Sequence, residues 1–139
     1  MLIKKILYVA ALAVLTLSAQ EKRSRIDVES YTIQADVDPV AQMLRATAVV
    51  RFAAIDDNVS TVNFELNNAL QVTKVLNGQG GELQAGRNAS DFTMRVTLPQ
   101  ALGKGKTESL SIQYQGKLSG SEESPIYGIK FAAIQGDFA

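Results

Sequence analysis

The feature that most constrains the fold is a two-residue alternation between positions 44 and 54. The even-numbered positions carry Leu, Ala, Ala, Val, Phe and Ala, whereas Arg45, Thr47 and Arg51 lie at odd positions. Successive side chains of a β-strand point to opposite faces, so this pattern indicates one core face and one solvated face. We therefore predict a long central strand over residues 43–55.

Shorter stretches with the same alternation predict the remaining strands. The first, over residues 26–37, places Tyr31, Ile33, Ala35 and Val37 on one face. Further strands are predicted over residues 62–67, 70–76, 82–84, 92–98 and 109–115. Several strands at short spacing, separated by turn residues, favour an all-β fold. We expect an antiparallel β-sandwich of about seven to eight strands over residues 26–118, preceded by a signal-peptide helix.

Local breaks in the pattern predict where strands end or bend. Pro99 is expected to end the strand over residues 92–98, because proline cannot donate to a ladder. Asn77-Gly78 predicts a tight hairpin turn, and residues 79–91 predict a loop that contains only a short strand. The apolar residues change from an even position at Val72 to an odd position at Val75. This shift in the alternation indicates a β-bulge or a strand buried on both sides.

The first nineteen residues are typical of a secretory signal peptide. Lys4 and Lys5 precede an apolar run over residues 6–17, and Leu17-Ser18-Ala19 offers small residues for cleavage. The run is shorter than the roughly 20 residues that a spanning helix needs. An uncleaved anchor and a buried helix are the alternatives. We expect residues 1–19 to be a signal peptide, residues 20–25 to be a linker, and the protein to be periplasmic or secreted, with membrane contact only through the signal segment.

Composition excludes several classes of function within this chain. The chain contains 14 Lys and Arg residues and 14 Asp and Glu residues. It therefore has no excess of positive charge that would favour binding to nucleic acid. The chain contains neither His nor Cys, which excludes thiol nucleophiles, histidine-based triads, disulfides and the usual zinc sites. We expect no catalytic, cofactor-binding or metal-binding residue here, and no enzymatic activity of this chain alone.

Five polar stretches could suggest chemistry, but each has a simpler interpretation. Asp36-Val37-Asp38 and Asp56-Asp57-Asn58 are rich in oxygen ligands, yet they lack the spacing of a calcium loop and lie where turns are expected. Glu122-Glu123 lies in a polar connector with no sign of a cleft. Residues 78–86 lack the phosphate-binding glycine pattern, and Gly103-Lys104-Gly105-Lys106 predicts an exposed turn.

The C-terminal residues 119–139 form a polar connector followed by an apolar tail. Residues 126–134 read Ile-Tyr-Gly-Ile-Lys-Phe-Ala-Ala-Ile. They could pair back as the last strand of the sandwich. The interpretation that we favour is that the tail leads towards a catalytic domain that lies beyond these residues.

Three stretches together resemble a known family. They are residues 31–39 running into 44–52, residues 62–66 followed by 70–75, and residues 96–99 with 110–116. Their order resembles the N-terminal β-domain of the M1 family of zinc aminopeptidases, the group of aminopeptidase N and leukotriene A4 hydrolase. The resemblance covers roughly residues 28–118 and is carried by strand patterns, not by catalytic motifs.

The resemblance implies a scaffold role. In that family the N-terminal β-sandwich packs on a thermolysin-like catalytic domain and forms one wall of the active-site cleft. The family's zinc motif, His-Glu-x-x-His, and its Gly-x-Met-x-Asn motif are both absent from this sequence. Zinc, and contact with a peptide substrate, are therefore expected only through a downstream catalytic domain of the same protein. The alternative is a stand-alone exported binding or adhesion module of immunoglobulin-like type.

Overall fold

A computed structural model describes residues 23–117, which form seven β-strands. The predicted signal peptide and the apolar tail at 126–134 lie outside the described residues. The strands are β1 (Ile26–Asp38), β2 (Met43–Ala54), β3 (Val59–Glu65), β4 (Leu70–Asn77), β5 (Ala85–Asn88), β6 (Thr93–Leu102) and β7 (Thr107–Lys117).

The strands form two antiparallel sheets packed face to face. Sheet A has the order β1-β2-β7-β4, and sheet B has the order β3-β6-β5. The prediction of an all-β antiparallel sandwich is confirmed. Between residues 23 and 117 the chain has no helix that could cross a membrane.

The central strand has the predicted parity. In β2 the side chains of Ala46, Ala48, Val50, Phe52 and Ala54 are buried, whereas Arg45, Val49 and Arg51 face solvent. β2 lies between β1 and β7, so its backbone is paired on both edges. Its inward side chains form the centre of sheet A's inner face.

The core lies between the inner faces of the two sheets. Phe52 of sheet A and Phe64 of sheet B meet edge to face, with ring centroids 6.3 Å apart and planes at 69°. The cluster around them consists of Ala48, Val50, Ala54, Val59, Val62, Val75, Met94, Val96, Leu98, Leu110 and Ile112. Burial of one such large apolar side chain contributes about 1.5–3 kcal/mol, so this single cluster holds the sheets together.

The first strand also has the predicted parity, but no part of the chain that the structure describes covers its apolar face. Tyr31 and Ile33 pair with the inward-facing Val50 and Ala48 of β2. Nevertheless both side chains are 57% exposed, and Val37 is 53% exposed. β1 lies at the edge of the four-stranded sheet, and the three-stranded sheet opposite is too narrow to cover it.

The predicted bulge in β4 is confirmed. The register of β4 against β7 shifts between Val72 and Lys74. The extra residue restores an inward direction for Val75, which is buried next to Ile112. The slip in parity that the sequence shows is therefore the signature of this bulge.

The prediction that Pro99 ends its strand was wrong. β6 continues to Leu102, which pairs with Val59 of β3. The β3–β6 register shifts between Val59 and Thr61, so Pro99 lies in the irregular stretch opposite this shift. A proline is tolerated there because no ladder hydrogen bond from its nitrogen is required.

The Asn77-Gly78 turn is wider than predicted. The backbone N–H of Asn77 donates to the carbonyl of Gly81, and the residue with positive φ is Gly80, at 82°. Asn77 Oδ1 accepts hydrogen bonds from the backbone N–H groups of Gln79 and Gly81. The side chain of Asn77 therefore organises a longer turn instead of occupying a two-residue one.

The short strand after this turn lies later than predicted. Glu82 makes only an isolated bridge with Leu76, whereas the paired strand is β5, whose four residues are all exposed. β7 extends the strand predicted over residues 109–115 by two residues at each end, so that it includes Gly116 and Lys117. A Cβ on Gly116 would collide with the backbone carbonyl of Ala69, so this close approach of β7 to the start of β4 requires glycine.

Candidate functional site

The acidic turns that could suggest calcium sites have structural roles instead. Asp38 Oδ1 accepts hydrogen bonds from the backbone N–H groups of Val40 and Ala41 and thereby closes the β1–β2 turn. Asp57 Oδ1 accepts from the N–H groups of Asn58 and Lys104. Asp57 thus stabilises a turn, as expected for its cluster, whereas Asp36, Val37 and Asp38 form the end of β1 and only the Asp38 side chain reaches into the turn that follows.

Asp56 and Arg25 tie the start of β1 to the β2–β3 turn. The Arg25 guanidinium donates to both carboxylate oxygens of Asp56, at 2.8 Å from Nη2 to Oδ1 and 3.4 Å from Nε to Oδ2. The backbone N–H of Arg25 also donates to Oδ2. The hydrogen bonds to Asp56 raise the pKa of Arg25 above its ordinary value. This pair holds the residue that precedes β1 against the β2–β3 turn.

Asp91 occupies a similar position before β6. Its Oδ1 accepts hydrogen bonds from the hydroxyl and the backbone N–H of Thr93, at 2.5 and 3.1 Å. Arg23 donates to its other oxygen at 2.8 Å. The Thr93 hydroxyl is the main reason that the pKa of Asp91 is lowered, and Arg23 adds to the effect.

Arg87 of β5 binds the loop between β3 and β4. Its guanidinium donates to the carbonyls of Leu66, Asn67 and Phe92, at 2.9, 3.2 and 3.3 Å. Desolvation lowers the pKa of Arg87 from its ordinary value. The carbonyls of Phe92 and Asn67 also accept backbone hydrogen bonds from Leu66 and Leu70, so the cation reinforces the backbone contacts that hold this loop in place.

The described residues do not fit a zinc site. Between residues 23 and 117 no three His, Cys, Asp or Glu side chains come together in a group that could hold a metal ion. The acidic side chains described above are engaged with arginines or with turn N–H groups. These residues supply neither the nitrogen nor the sulfur ligands that zinc prefers.

Among the described residues, an apolar groove lies along the open edge of the sandwich. It has a volume of about 440 Å³ and lies between β1 of sheet A and β3 of sheet B. Its apolar walls are formed mainly by Val28, Tyr31, Ile33, Val50, Phe64 and Met94. Its lining also includes the polar residues Asn63 and Glu65 and the phenol of Tyr114. Burial raises the pKa of Tyr114, so its hydroxyl remains protonated.

The groove is bordered by a free strand edge. Among residues 23–117, β1 is the terminal strand of sheet A and has β2 as its one strand partner. Every residue from Glu29 to Asp38 is exposed. Alternate backbone N–H and C=O groups of an edge strand point away from its partner and can pair with another strand. The groove and this edge together are suited to bind an extended apolar segment.

The opposite, solvated face of sheet A is polar. A shallow hollow of about 480 Å³ lies there around two rows of paired residues. One row is Gln34, Thr47 and Gln113, and the other is Asp36, Arg45 and Gln115. This face is an ordinary solvated sheet surface, because its side chains are polar and remain accessible to water.

The sequence predicted no site residue, and it did not reveal the groove. The apolar parity of Tyr31 and Ile33 was visible, but parity alone assigns such residues to the core. What exposes them is the number of strands in the opposite sheet, which a local pattern does not encode. One feature of the sequence could have indicated the groove. The first alternating stretch, which forms β1, is longer than any of the strands of sheet B.

Solved structures share this fold. The chain is similar to an M1 zinc metallopeptidase from Deinococcus radiodurans, with 23% sequence identity, a TM-score of 0.60, and coverage of 71% of this chain and 22% of that one. A variant of that enzyme bound to a Tyr-Ser-Ala substrate matches at 22% identity and a TM-score of 0.60, over 75% of this chain and 23% of that one. A two-domain M1 zinc metallopeptidase variant bound to L-tryptophan matches at 24% identity and a TM-score of 0.59, over 76% of this chain and 24% of that one.

The likeness concerns one part of those proteins. This chain spans about a quarter of the length of the solved structures that it matches, which is consistent with an N-terminal domain. No family model and no curated protein matches the sequence. The comparisons thus extend the resemblance seen in the strand pattern to the three-dimensional fold.

Proposed function

We propose that this chain is the non-catalytic N-terminal scaffold domain of an exported, M1-like zinc aminopeptidase. The observation that carries the proposal is the fold shared with M1 zinc metallopeptidases over about three quarters of this chain. Peptide hydrolysis is then the activity of the longer protein. The role of these residues is to form one wall of the active-site cleft.

The chemistry of the chain is consistent with a supporting role. The sequence contains no histidine, so a His-Glu-x-x-His zinc motif has to come from elsewhere in the protein. The charged side chains of the described residues serve turns and ion pairs, as at Asp56 and Arg87. Rigid β-structure with fixed turns is suited to hold one wall of a cleft in place.

Export is the second part of the proposal, and it rests on the sequence. Lys4 and Lys5, the apolar run at 6–17 and the small residues before Gln20 form the three regions of a signal peptide. The protein would then act in a periplasm or outside the cell. Its mature N-terminus would lie a few residues before β1.

The proposal is tested by expressing the complete gene that encodes these residues and assaying the release of the N-terminal residue from Tyr-Ser-Ala. We expect zinc-dependent release by the complete gene product and none by residues 1–139 expressed alone. Removal of zinc with a chelator should abolish the activity, and added zinc should restore it.

Two results would contradict the proposal. Hydrolysis by residues 1–139 alone would mean that the chain carries its own active site. A gene without a His-Glu-x-x-His sequence would instead favour a stand-alone binding module of immunoglobulin-like type. A variant of the complete protein that lacks the first histidine of this motif is the matched control for contaminating peptidases.

A further inference from the structure

The turn at the end of β4 contains the one Asn-Gly pair of the sequence, Asn77-Gly78. Asparagine is among the thermally labile residues of proteins. Its side-chain carboxamide can be attacked by the backbone nitrogen of the next residue, and a glycine at that position has no side chain to obstruct the attack. The pair is therefore a place where the chain can modify itself.

The modification consumes only water. The nitrogen of Gly78 forms a bond to Cγ of Asn77, and the bond from Cγ to Nδ2 breaks. The Nδ2 group leaves as ammonia, which takes up the proton that the Gly78 nitrogen loses. Water then opens the five-membered succinimide ring. The product is either an aspartate or an isoaspartate, whose backbone runs through Cβ and Cγ.

The strand conformation of Asn77 opposes closure of this ring. Asn77 is the last residue of β4 and pairs with Leu110 of β7. A near-planar ring places Cβ of Asn77 in line with the Gly78 nitrogen about the bond between Cα and the carbonyl carbon. In an extended residue, with ψ at about +135°, these two atoms are far out of line. The strand must therefore release Asn77 before the ring can close.

Hydrogen bonds around the pair oppose this release. The backbone N–H of Asn77 donates to the carbonyl of Gly81 at 2.8 Å, and the carbonyl of Asn77 accepts from the N–H of Gly80 at 3.0 Å. Oδ1 of Asn77 accepts from the N–H of Gly81 at 2.7 Å. The N–H of Gly78, whose proton has to be lost, donates to Oε1 of Glu108 at 3.4 Å. Both reacting groups are thus engaged elsewhere while the turn is closed.

We propose that Asn77-Gly78 is a self-modification site that the fold controls. The closed turn suppresses deamidation of Asn77, and opening of the turn starts it. The end of a strand opens more readily than the core of a sandwich, so the modified fraction records how long this end of β4 has been open. The inference is independent of the peptidase proposal, because it concerns the chemistry of one turn.

The two products differ in their effect on the turn. Aspartate retains a side-chain oxygen that accepts from the N–H groups of Gln79 and Gly81, so the turn can close again. Isoaspartate adds one carbon atom to the backbone between Cα and the carbonyl group at position 77. This carbon displaces the carbonyl that accepts from Gly80. A chain with isoaspartate therefore cannot re-form the closed turn.

Mass spectrometry of the full chain measures the reaction. Trypsin releases residues 75–87 as one peptide, in which Asn77 is the one asparagine. Incubation in buffer and in urea, at the same pH and temperature, compares the closed turn with the open one. We expect this peptide to deamidate roughly tenfold or more slowly in buffer, because the reaction has to wait for the turn to open. An equal or higher rate in buffer would overturn the proposal.

Gly80→Ala tests whether opening of the turn controls the rate. Gly80 has a φ of 82°, which alanine adopts only at a cost, and a Cβ there meets no described atom within 4 Å. The substitution therefore strains the closed turn and leaves the Asn-Gly pair itself unchanged. In buffer we expect deamidation roughly fivefold faster or more, and in urea the rate of the unsubstituted chain. An unchanged rate in buffer would contradict control by the turn.

Gln79→Ala is the matched control in the same turn. The Gln79 side chain is exposed, and its backbone N–H remains available to Oδ1 of Asn77. This variant should deamidate in buffer at the unsubstituted rate, and a rate as high as that of Gly80→Ala would count against the proposal. Amide hydrogen exchange of β2 reports whether the sandwich stays folded in both variants. If Gly80→Ala lost this protection, the comparison of buffer with urea would still decide.

The products are compared after the chain has aged in urea and has been refolded. Chromatography separates the aspartate and isoaspartate forms, and Asn77→Asp supplies the aspartate form directly. We expect the isoaspartate form to unfold at a lower urea concentration than the aspartate form, because its lengthened backbone leaves the turn open. Equal unfolding midpoints of the two forms would contradict the effect assigned to the added carbon.

Discussion

At the scale of single residues, stability depends on which face of a strand a side chain occupies. Phe52 is fully buried and meets Phe64 edge to face, whereas its neighbour Arg51 is exposed and donates to Glu29 at 2.7 Å. The two residues are adjacent in β2 but lie on opposite faces of sheet A. Their substitutions should therefore have very different effects.

We expect Phe52→Ala to lower the free energy of unfolding by about 3–5 kcal/mol, because it removes a large buried ring and leaves a cavity. Arg51→Ala should cost less than about 1 kcal/mol, since it removes only a surface ion pair. Urea unfolding of both variants measures the difference. Similar losses would contradict the assignment of faces in β2.

Asp91 should make stability depend on pH. Because the folded state lowers the pKa of Asp91, the carboxylate stabilises the fold fully above the ordinary value of 3.8. This contribution is lost as the pH falls from that value through the lowered folded pKa. We expect Asp91→Asn to be less stable than the unsubstituted chain at pH 7 and to lose less stability on acidification.

Thermal unfolding at pH 7 and below pH 4 checks this expectation. Asp27→Asn, at an exposed position of β1, is the control for the general effect of removing one negative charge. If the Asp91 and Asp27 variants responded alike to acid, the hydrogen bonds with Thr93 would have no energetic role.

At the scale of the elements, the close approach of β7 to β4 is set by one glycine. Gly116 pairs with Leu44 of β2 and with Leu70 of β4. An added Cβ would lie 2.9 Å from the carbonyl carbon of Ala69. Since the obstacle is backbone, it cannot turn aside as a flexible side chain could.

We expect Gly116→Ala to destabilise the sandwich by about 1–3 kcal/mol through overpacking. Gly86→Ala, in β5, is the control, because a Cβ there meets nothing within 4 Å. Chemical unfolding compares the two variants. Equal stability would indicate that the β4 end can move away from β7 at no cost.

The sequence pattern predicted a strand correctly where the direction of neighbouring side chains alone determines its structure. The alternation in β2 and the parity slip in β4 gave a core face and a bulge, because side-chain direction follows directly from strand geometry. Pro99 and β5 were misjudged for a different reason. Pro99 is tolerated by the irregular register opposite it, and the Ala-Gly-Arg-Asn of β5 pairs only because β6 offers an edge.

At the scale of the whole molecule, the unpredicted feature is the width of one sheet relative to the other. Tyr31 and Ile33 have the parity of core residues, but sheet B does not extend over them. Which strands share a sheet depends on pairings between distant parts of the chain. The groove beside β1 could therefore not be derived from the pattern of β1 itself.

Export is a prediction for the whole protein. We expect mass spectrometry of the secreted or periplasmic protein to find an N-terminus at Gln20, after cleavage behind Ala19. Replacement of Lys4 and Lys5 by Glu should retain the precursor in the cell, because the positive region orients the signal peptide. Lys22→Glu, beyond the predicted cleavage position, is the control and should leave export unchanged.

The order of the strands has a consequence for the timing of folding. β2 and β7 are neighbours at the centre of sheet A, yet Met43 pairs with Lys117 across most of the described sequence. Contacts between such distant positions form slowly, because a long loop must close first. On the ribosome, sheet A cannot be completed until β7 has emerged, so the nascent chain would stay unfolded until most of it has been synthesised, which is the state that the proposed export through a secretion channel would require.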